Sequence, residues 1–277
     1  MIKFICDSMS DIPRQIVEKY NIHVLPATVS IEGKEYFDGV DLTSEEFFEI
    51  LRNSNELPKT SQVTYSQFKE VFDLYGNDYD EIIYIGGSSK ASGTYQNGIL
   101  AIRDYEGKAT IYSIDTCSFS AGGGVFVVKA GLLMDEGKSA KEIVEILESL
   151  KGKERVFLTV DDLKYLRMGG RITDIKAKLG TLLNIKPIIT LKDGLATNDS
   201  QVRGNKKSIS TVFNKAIENI DNLEDRIIIY GGGDIVEDIK ILEEKLLATN
   251  CKNIFKVASG LGITSHTGPG LVGLAIL

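Results

Sequence analysis

The sequence predicts an α/β protein built on a mostly parallel sheet with crossover helices, and three observations carry that expectation. Short apolar runs alternate with amphipathic helical patterns along most of the chain, the pattern of repeated βαβ units. Four of those runs, IKFIC (2–6), EIIYI (81–85), TIYSI (110–114) and RIIIY (226–230), pass at once into turns rich in Gly, Ser, Thr or Asp. The length of 277 residues is enough for one large or two modest domains whose cores need neither metal nor disulfide.

Taken in order, the first run ends in CDSMSD, with Asp7 and Ser8 at the C-terminal end of a strand. Open α/β sheets bind ligands at such ends, so these residues either orient a site or cap the helix that Pro13 helps to open. His23, in NIHVLP, reads as a core or edge-strand residue. Helix starts are marked where Ser or Thr is followed three residues later by Glu or Gln, because that pair satisfies otherwise unpaired backbone N–H groups. Thr43 with Glu46, Thr64 with Gln67 and Ser139 with Glu142 fit. KTSQVTYSQF puts Thr60, Ser61 and Gln62 in a polar loop before the second of these helices, and EIIYIGGSSKASGTYQ runs from a strand through a Gly/Ser loop into a helix opening near Thr94.

Behind Ser139, the residues Ile143, Ile146, Leu147 and Leu150 recur at helical spacing, giving one buried stripe. The charged KGKER at 151–155 then marks the expected boundary between domains 1–152 and 153–277. Beyond it the expected elements are a strand at 155–160, the segment DDLKYLRMGGRI, a strand in LLNIKPIITL (182–191) with a turn at KDG, a helix near 206–220, and strands at 253–259 and 271–277.

Composition excludes several classes of function. With 32 Lys+Arg against 39 Asp+Glu, the net charge is −7 and the cations are scattered among acids, so there is no basic stripe to neutralise nucleic-acid phosphates. The three cysteines are widely spaced, which fits a reducing cytoplasm. With only His23 and His266 and no paired Cys, a zinc site would have to be built mainly from carboxylates, and no metal is expected. The longest apolar stretch, AGGGVFVVKAGLLM, is broken by Lys129 and falls short of the roughly 20 residues that span a bilayer. MIKFICD reaches Asp7 too soon for a signal-peptide apolar region.

The loops at strand ends hold the candidate chemistry. A helix N-terminus presents free N–H groups to an anion without any positive side chain, and Ser88, Ser89, Ser92 and Thr94 add hydroxyls beside it. The plainer alternative is a tight βα turn whose hydroxyls merely cap the helix. Nucleotide loops fail by counting: GLLMDEGKS holds five residues between Gly131 and Gly137 where the phosphate-binding loop needs four, and the glycines at 122–124 and 231–233 do not give GxGxxG. Arg171, beside the Gly pair of YLRMGGRITD, offers a planar fork for a carboxylate or phosphate, although solvation at the surface is the commoner fate of an arginine. Arg203 and Lys206 form a small basic cluster, and SHTGPG places His266 in a loop among small residues. Ser92 and His266 could make a nucleophile and base, but there is no GxSxG elbow and no assignable third member.

Together, DSMSDIP, KTSQVTYSQF, SSKASGTYQ, LRMGGRI, LNIKPI and SHTGPG resemble, in order and across nearly the whole chain, the motif set of the bacterial DegV family. Val63, Lys90 and Met168 depart from it, standing where proline, glycine and a basic residue are usual. The resemblance implies a two-domain DegV-like α/β fold: an N-terminal, mostly parallel sheet flanked by helices, and a C-terminal α/β domain with a mixed sheet. It implies a cytoplasmic lipid-binding protein that holds one long-chain fatty acid such as palmitate, performs no chemistry alone, uses no cofactor, and presents the carboxyl group to a separate fatty acid kinase subunit for acyl phosphate formation. By the same resemblance Thr60 and Ser92 hydrogen-bond the carboxylate, with Ser61, Gly93, Thr94, Arg171, Arg203 and His266 as secondary ligand or kinase-facing residues. Two alternatives stay open: a Ser92/His266 hydrolase or acyl transferase, and a subunit binding a carbonyl ligand, as in dihydroxyacetone kinases.

Overall fold

The computed structural model describes residues 1–173 and 184–277. Among these residues the strands assemble into three sheets. The first contains β1 (Ile2–Asp7), β2 (His23–Leu25), β6 (Glu81–Gly86) and β7 (Thr110–Asp115), all parallel, in the order β2-β1-β6-β7. β1 and β6 are buried along nearly their whole length, as isoleucine-rich parallel strands covered by helices on both faces must be. The chain leaves β1 towards β2 on one side and returns to β6 on the other, so the strand order reverses between β1 and β6.

A small antiparallel sheet of β3 (Thr28–Ile31), β4 (Lys34–Phe37) and β5 (Lys59–Ser61), in the order β4-β3-β5, stands beside it. Glu32 and Gly33 both have positive φ (51° and 73°), the geometry of the two-residue turn whose twist matches a hairpin.

The third sheet holds β8 (Arg155–Thr159), β9 (Ile172–Thr173), β10 (Ile185–Lys192), β11 (Leu195–Arg203), β12 (Ile227–Gly232), β13 (Asn253–Ala258) and β14 (Val272–Ile276), in the order β13-β12-β14-β8-β10-β11-β9. It is mixed, as expected: β12 with β13 and β9 with β11 are parallel and the other pairs antiparallel. The helices are α1 (Arg14–Lys19), α2 (Ser44–Asn53), α3 (Tyr65–Tyr75), α4 (Thr94–Arg103), α5 (Ala121–Asp135), α6 (Ala140–Leu150), α7 (Leu163–Gly169), α8 (Asn205–Ile217), α9 (Val236–Leu247) and α10 (Leu261–Thr267). The capping boxes at Thr43, Thr64 and Ser139 all form.

Several expectations shift. The helix expected near 206–220 ends at Ile217, because Glu218 turns extended and Asn219 takes a φ of 60°. Thr60 and Ser61 lie in strand β5, where a polar loop was expected, and His266 lies in the last turn of helix α10, where a loop was expected. Leu182 and Leu183, the start of the expected strand at 182–191, lie outside the described residues, as does the side chain of Met168.

Helix α5 joins the two large sheets. It is apolar all round, with ten buried residues, and such a helix must be covered on every side. It packs on β6 of the first sheet and on β8, β12 and β14 of the third, and one apolar cluster runs from Phe4 and Ile83 through Phe126 and Val127 to Val156, Ile229 and Ala275. Its glycines let backbone approach: a Cβ on Gly124 would collide with the Asp11 carbonyl oxygen, and one on Gly131 with the Tyr20 ring. Helix propensity alone favours Gly124→Ala by about 1 kcal/mol. Because the colliding atom is backbone, we expect this substitution instead to lower stability by about 1–3 kcal/mol, read from the midpoint of urea unfolding. A midpoint that rises would show that the β1–α1 segment yields freely.

Candidate functional site

A cavity of about 570 Å³ opens where the three sheets meet. It lies outside the C-terminal ends of β1 and β6, at the reversal of strand order where open α/β sheets bind ligands, and its size is typical of small-molecule sites. Met9 and Phe119 come from loops after β1 and β7; Thr60, Ser61 and Gln62 come from β5 and the residue after it. Ser89 to Thr94 follow β6, Arg171 follows α7, and Ile263, His266 and Thr267 belong to α10. The cavity thus gathers Thr60, Ser61, Ser92, Gly93, Thr94, Arg171 and His266, but not Arg203, which is exposed at the end of β11.

The loop after β6 is shaped by a buried acid. Asp7 accepts hydrogen bonds from Gly87 N at 3.1 Å, Tyr84 Oη at 3.0 Å and Met9 N at 3.1 Å. Burial raises its pKa and these donors oppose the rise. Asp7 therefore orients the site's loop and does not cap α1. Ser88 leaves the set of candidate donors, because its buried hydroxyl donates to the Gly194 carbonyl at 2.7 Å, tying the loop to the β10–β11 turn. Lys90 passes through the loop with an ordinary negative φ, so glycine is not required there.

Ser92 closes the turn into α4. Its Oγ accepts from Thr94 N at 3.2 Å and donates to Thr94 Oγ1 at 3.0 Å, while Thr94 Oγ1 also accepts from Val63 N at 3.2 Å. A hydroxyl has one proton and two acceptor positions, so rotation about the C–O bond redirects the Ser92 proton into the cavity without breaking the turn. Gly93, the N-cap of α4, has no side chain, and Gln62 packs where its Cβ would lie.

Thr60 Oγ1 stands 3.0 Å from His266 Nε2. Burial, with the nearby Arg171 charge as a smaller cause, holds the His266 pKa down to about 4, so the ring is neutral at physiological pH and one nitrogen carries the proton. Nδ1 is buried with no hydrogen-bond partner among the described residues, and a bare acceptor is tolerated there better than an orphaned N–H. The proton therefore belongs on Nε2, donated to Thr60, which leaves the Thr60 hydroxyl proton free to point into the cavity. Arg171 is anchored by Gly169 O at 2.8 Å and Ala91 O at 3.4 Å, with its side chain exposed at the rim.

The arrangement presents two hydroxyl donors, a helix N-terminus and a rim guanidinium above a floor of Met9, Ala27, Phe119 and Ile263. That suits an anionic head on an apolar body. It does not suit a nucleophile and base: His266 Nε2 is bonded to Thr60 and Ser92 to Thr94, and nothing among the described residues orients Nδ1. Among the described residues no group of three or more His, Cys, Asp or Glu could hold a metal ion, and no helix is long and apolar enough to cross a membrane. Thr60's strand and the helix of His266 both escape sequence reasoning; the Glu32–Gly33 turn marks the β3–β4 hairpin but not β5 on its other side.

Residues 1–277 match the model of a family described as uncharacterised proteins of the DegV family. A DegV domain-containing protein of Caldanaerobacter subterraneus is 35% identical over 274 residues, covering 99% of this chain and 97% of the relative. Among solved structures, a fatty-acid-binding DegV family protein from Thermus thermophilus superimposes with a TM-score of 0.88 at 30% identity, covering 99% of this chain and 98% of that one. A stearic acid-binding protein from Eubacterium ventriosum gives 0.89 at 28% identity, covering 100% and 98%. The two-domain fold, with a parallel sheet flanked by helices and a mixed sheet, matches these structures.

The lowered pKa of His266 has a consequence for stability. Above pH ~6.5 the ring is neutral in folded and unfolded chains alike; as pH falls from there towards 4, the unfolded chain gains a proton that the folded one refuses, and stability is lost. In urea unfolding at pH 7 and pH 5, His266→Gln is expected to lose less stability between the two than the wild type. An equal loss would mean that the ring protonates freely in the fold.

Proposed function

We propose, from the premise that the chain belongs to the DegV family, that it binds one long-chain fatty acid and presents the carboxyl group to a separate kinase subunit, which phosphorylates it to an acyl phosphate. The observation that carries the reading is the convergence of Thr60, Ser92 and neutral His266 on one cavity with an apolar floor. Thr60 and Ser92 hold the carboxylate by their hydroxyl protons, supported by N–H groups at the start of α4. A buried carboxylate left unpaired would be costly, so each donor counts. The tail runs from Met9 and Phe119 towards the apolar cluster of Leu158, Val160, Leu166, Ile189 and Leu271, and at ~0.8 kcal/mol per buried CH₂ it supplies most of the affinity.

In this reading residues 1–152 form the domain that supplies Thr60 and Ser92, and residues 153–277 the domain that supplies Arg171, Arg203 and His266. The arginines lie outside the carboxylate contacts, where a phosphoryl group arriving from a partner would meet positive charge. The chain acts in the cytoplasm, uses no cofactor and performs no chemistry by itself. A carbonyl ligand bonded covalently to His266 has less support, since Nε2 is engaged by Thr60 and Nδ1, the nitrogen with the bare lone pair, is buried.

The reading is tested by extracting the purified protein and identifying bound lipid by mass spectrometry, then titrating palmitate. Ser92→Ala and Thr60→Ala should each weaken palmitate by about 1–3 kcal/mol; failure of the wild type both to yield lipid and to bind palmitate would sink the idea. Arg203→Ala should keep palmitate affinity and lose acyl phosphate formation in a mixture with the kinase subunit and ATP. Equal loss of both would place Arg203 at the carboxylate.

A further inference from the structure

Helix α10 starts at Leu261, and its N-cap residue, Gly260, has no side chain with which to cap it. Two carboxylates from distant parts of the sequence do so instead. Gly260 N donates to Asp11 Oδ1 at 2.8 Å, Leu261 N to Asp38 Oδ1 at 2.8 Å and Gly262 N to Asp38 Oδ2 at 3.0 Å. Carboxyl oxygens accept such bonds in either protonation state, and more strongly when ionised at the positive end of a helix. Both acids are nearly buried, Asp11 at 7% and Asp38 at 5% exposure. Asp11 also accepts from Ser120 Oγ at 2.5 Å. The charged neighbour facing Asp11 is Asp38 itself, so burial first and that charge second push Asp11 up to about 7, and burial also raises Asp38.

The glycines fit this grip. A Cβ on Gly260 would stand 3.1 Å from Asp38 Oδ1, and one on Gly262 3.2 Å from Asp38 Oδ2, both tighter than ordinary contact. Asp38 follows β4 and Thr60 lies in β5, and both strands flank β3. One small sheet therefore holds α10 at two points: its first turn through Asp38, its last through the contact between Thr60 and His266. Gly262 and His266 are four residues apart and share a helix face.

We infer that Asp38, seconded by Asp11, is a positioning residue for the carboxylate site: by fixing the first turn of α10 it sets the helix's rotation and keeps His266 Nε2 on Thr60, with the Thr60 proton turned to the ligand. The inference rests on the fatty-acid reading above and gives a role to Asp11, the acid of DSMSDIP that the binding contacts leave unused.

The test compares wild type with Asp38→Asn, which keeps one acceptor but sets an amide donor against a backbone N–H. Imidazole ¹⁵N spectra are simple, because the chain has two histidines and His23→Gln assigns them. Wild-type His266 is expected as one Nε2–H tautomer, neutral at pH 5.5; in Asp38→Asn it should average between tautomers and titrate nearer ~6.5, with palmitate affinity falling about tenfold and hexadecanol affinity much less. An unchanged His266 spectrum and palmitate affinity in a folded variant would overturn the inference. So would an equal loss for palmitate and hexadecanol with the His266 spectrum intact, the mark of a purely structural role. If Asp38→Asn does not fold, Gly260→Ala, whose Cβ would press on the Asp38 and Asp11 carboxyl oxygens alone, is read in the same way. A wild type that binds no palmitate defeats the fatty-acid reading, whereas the His266 spectrum still decides whether Asp38 sets the ring.

Discussion

A helix with no polar face cannot rest against water, and the rest of this molecule is arranged around that constraint. Helix α5 presents Val125, Phe126, Val127 and Val128 on successive sides, so one sheet could cover only part of it. The parallel sheet takes one flank and the mixed sheet the other. Its glycines bring the β1–α1 segment against another side, and α6 packs on it as well. The result is a core continuous between two sheets that share no strand, so the two halves of the chain are held at a set distance by packing and not only by a linker.

That fixed distance makes a composite site workable. Ser92 is set by the parallel sheet, Thr60 by the small antiparallel sheet, and His266 by a helix that leads into the last strand of the mixed sheet. Hydrogen bonds then trim the fit at the edges: Ser88 to Gly194 across the loop ends, and Arg52 to Asp234 and Asp161 on another face. Each is modest alone, but they act on elements whose relative placement α5 has already settled.

Much of this was legible in the sequence, for identifiable reasons. Three of the four strands of the parallel sheet, β1, β6 and β7, and their Gly/Ser exits announce themselves by local pattern, and Ser92 came with them. Capping boxes depend on residues three apart, so they too can be read locally. Thr60 could be named from the family resemblance but not placed in a strand, because three residues carry no periodicity and β5 exists only through its pairing with β3. Helix α10 was unreadable for a related reason: its cap lies in Asp11 and Asp38, not beside it. The apolar stretch after Ser120 was measured only against a bilayer, since a chain pattern does not reveal that two sheets flank it. Arg203 was named as a kinase-facing residue only through the family resemblance, and it is exposed outside the cavity lining.

The remote cap of α10 also bears on when the site can exist. Its acceptors lie 223 to 249 positions earlier in the chain, and β14, which completes the centre of the mixed sheet between β12 and β8, is made after it. Contacts across such separations form late, because the intervening chain must be ordered first. During synthesis the N-terminal strands can pair while α10 is not yet made, so a nascent chain carries Thr60 and Ser92 without the imidazole that orients Thr60. The pairing of Thr60 with His266 is therefore completed only once α10 has docked on Asp11 and Asp38.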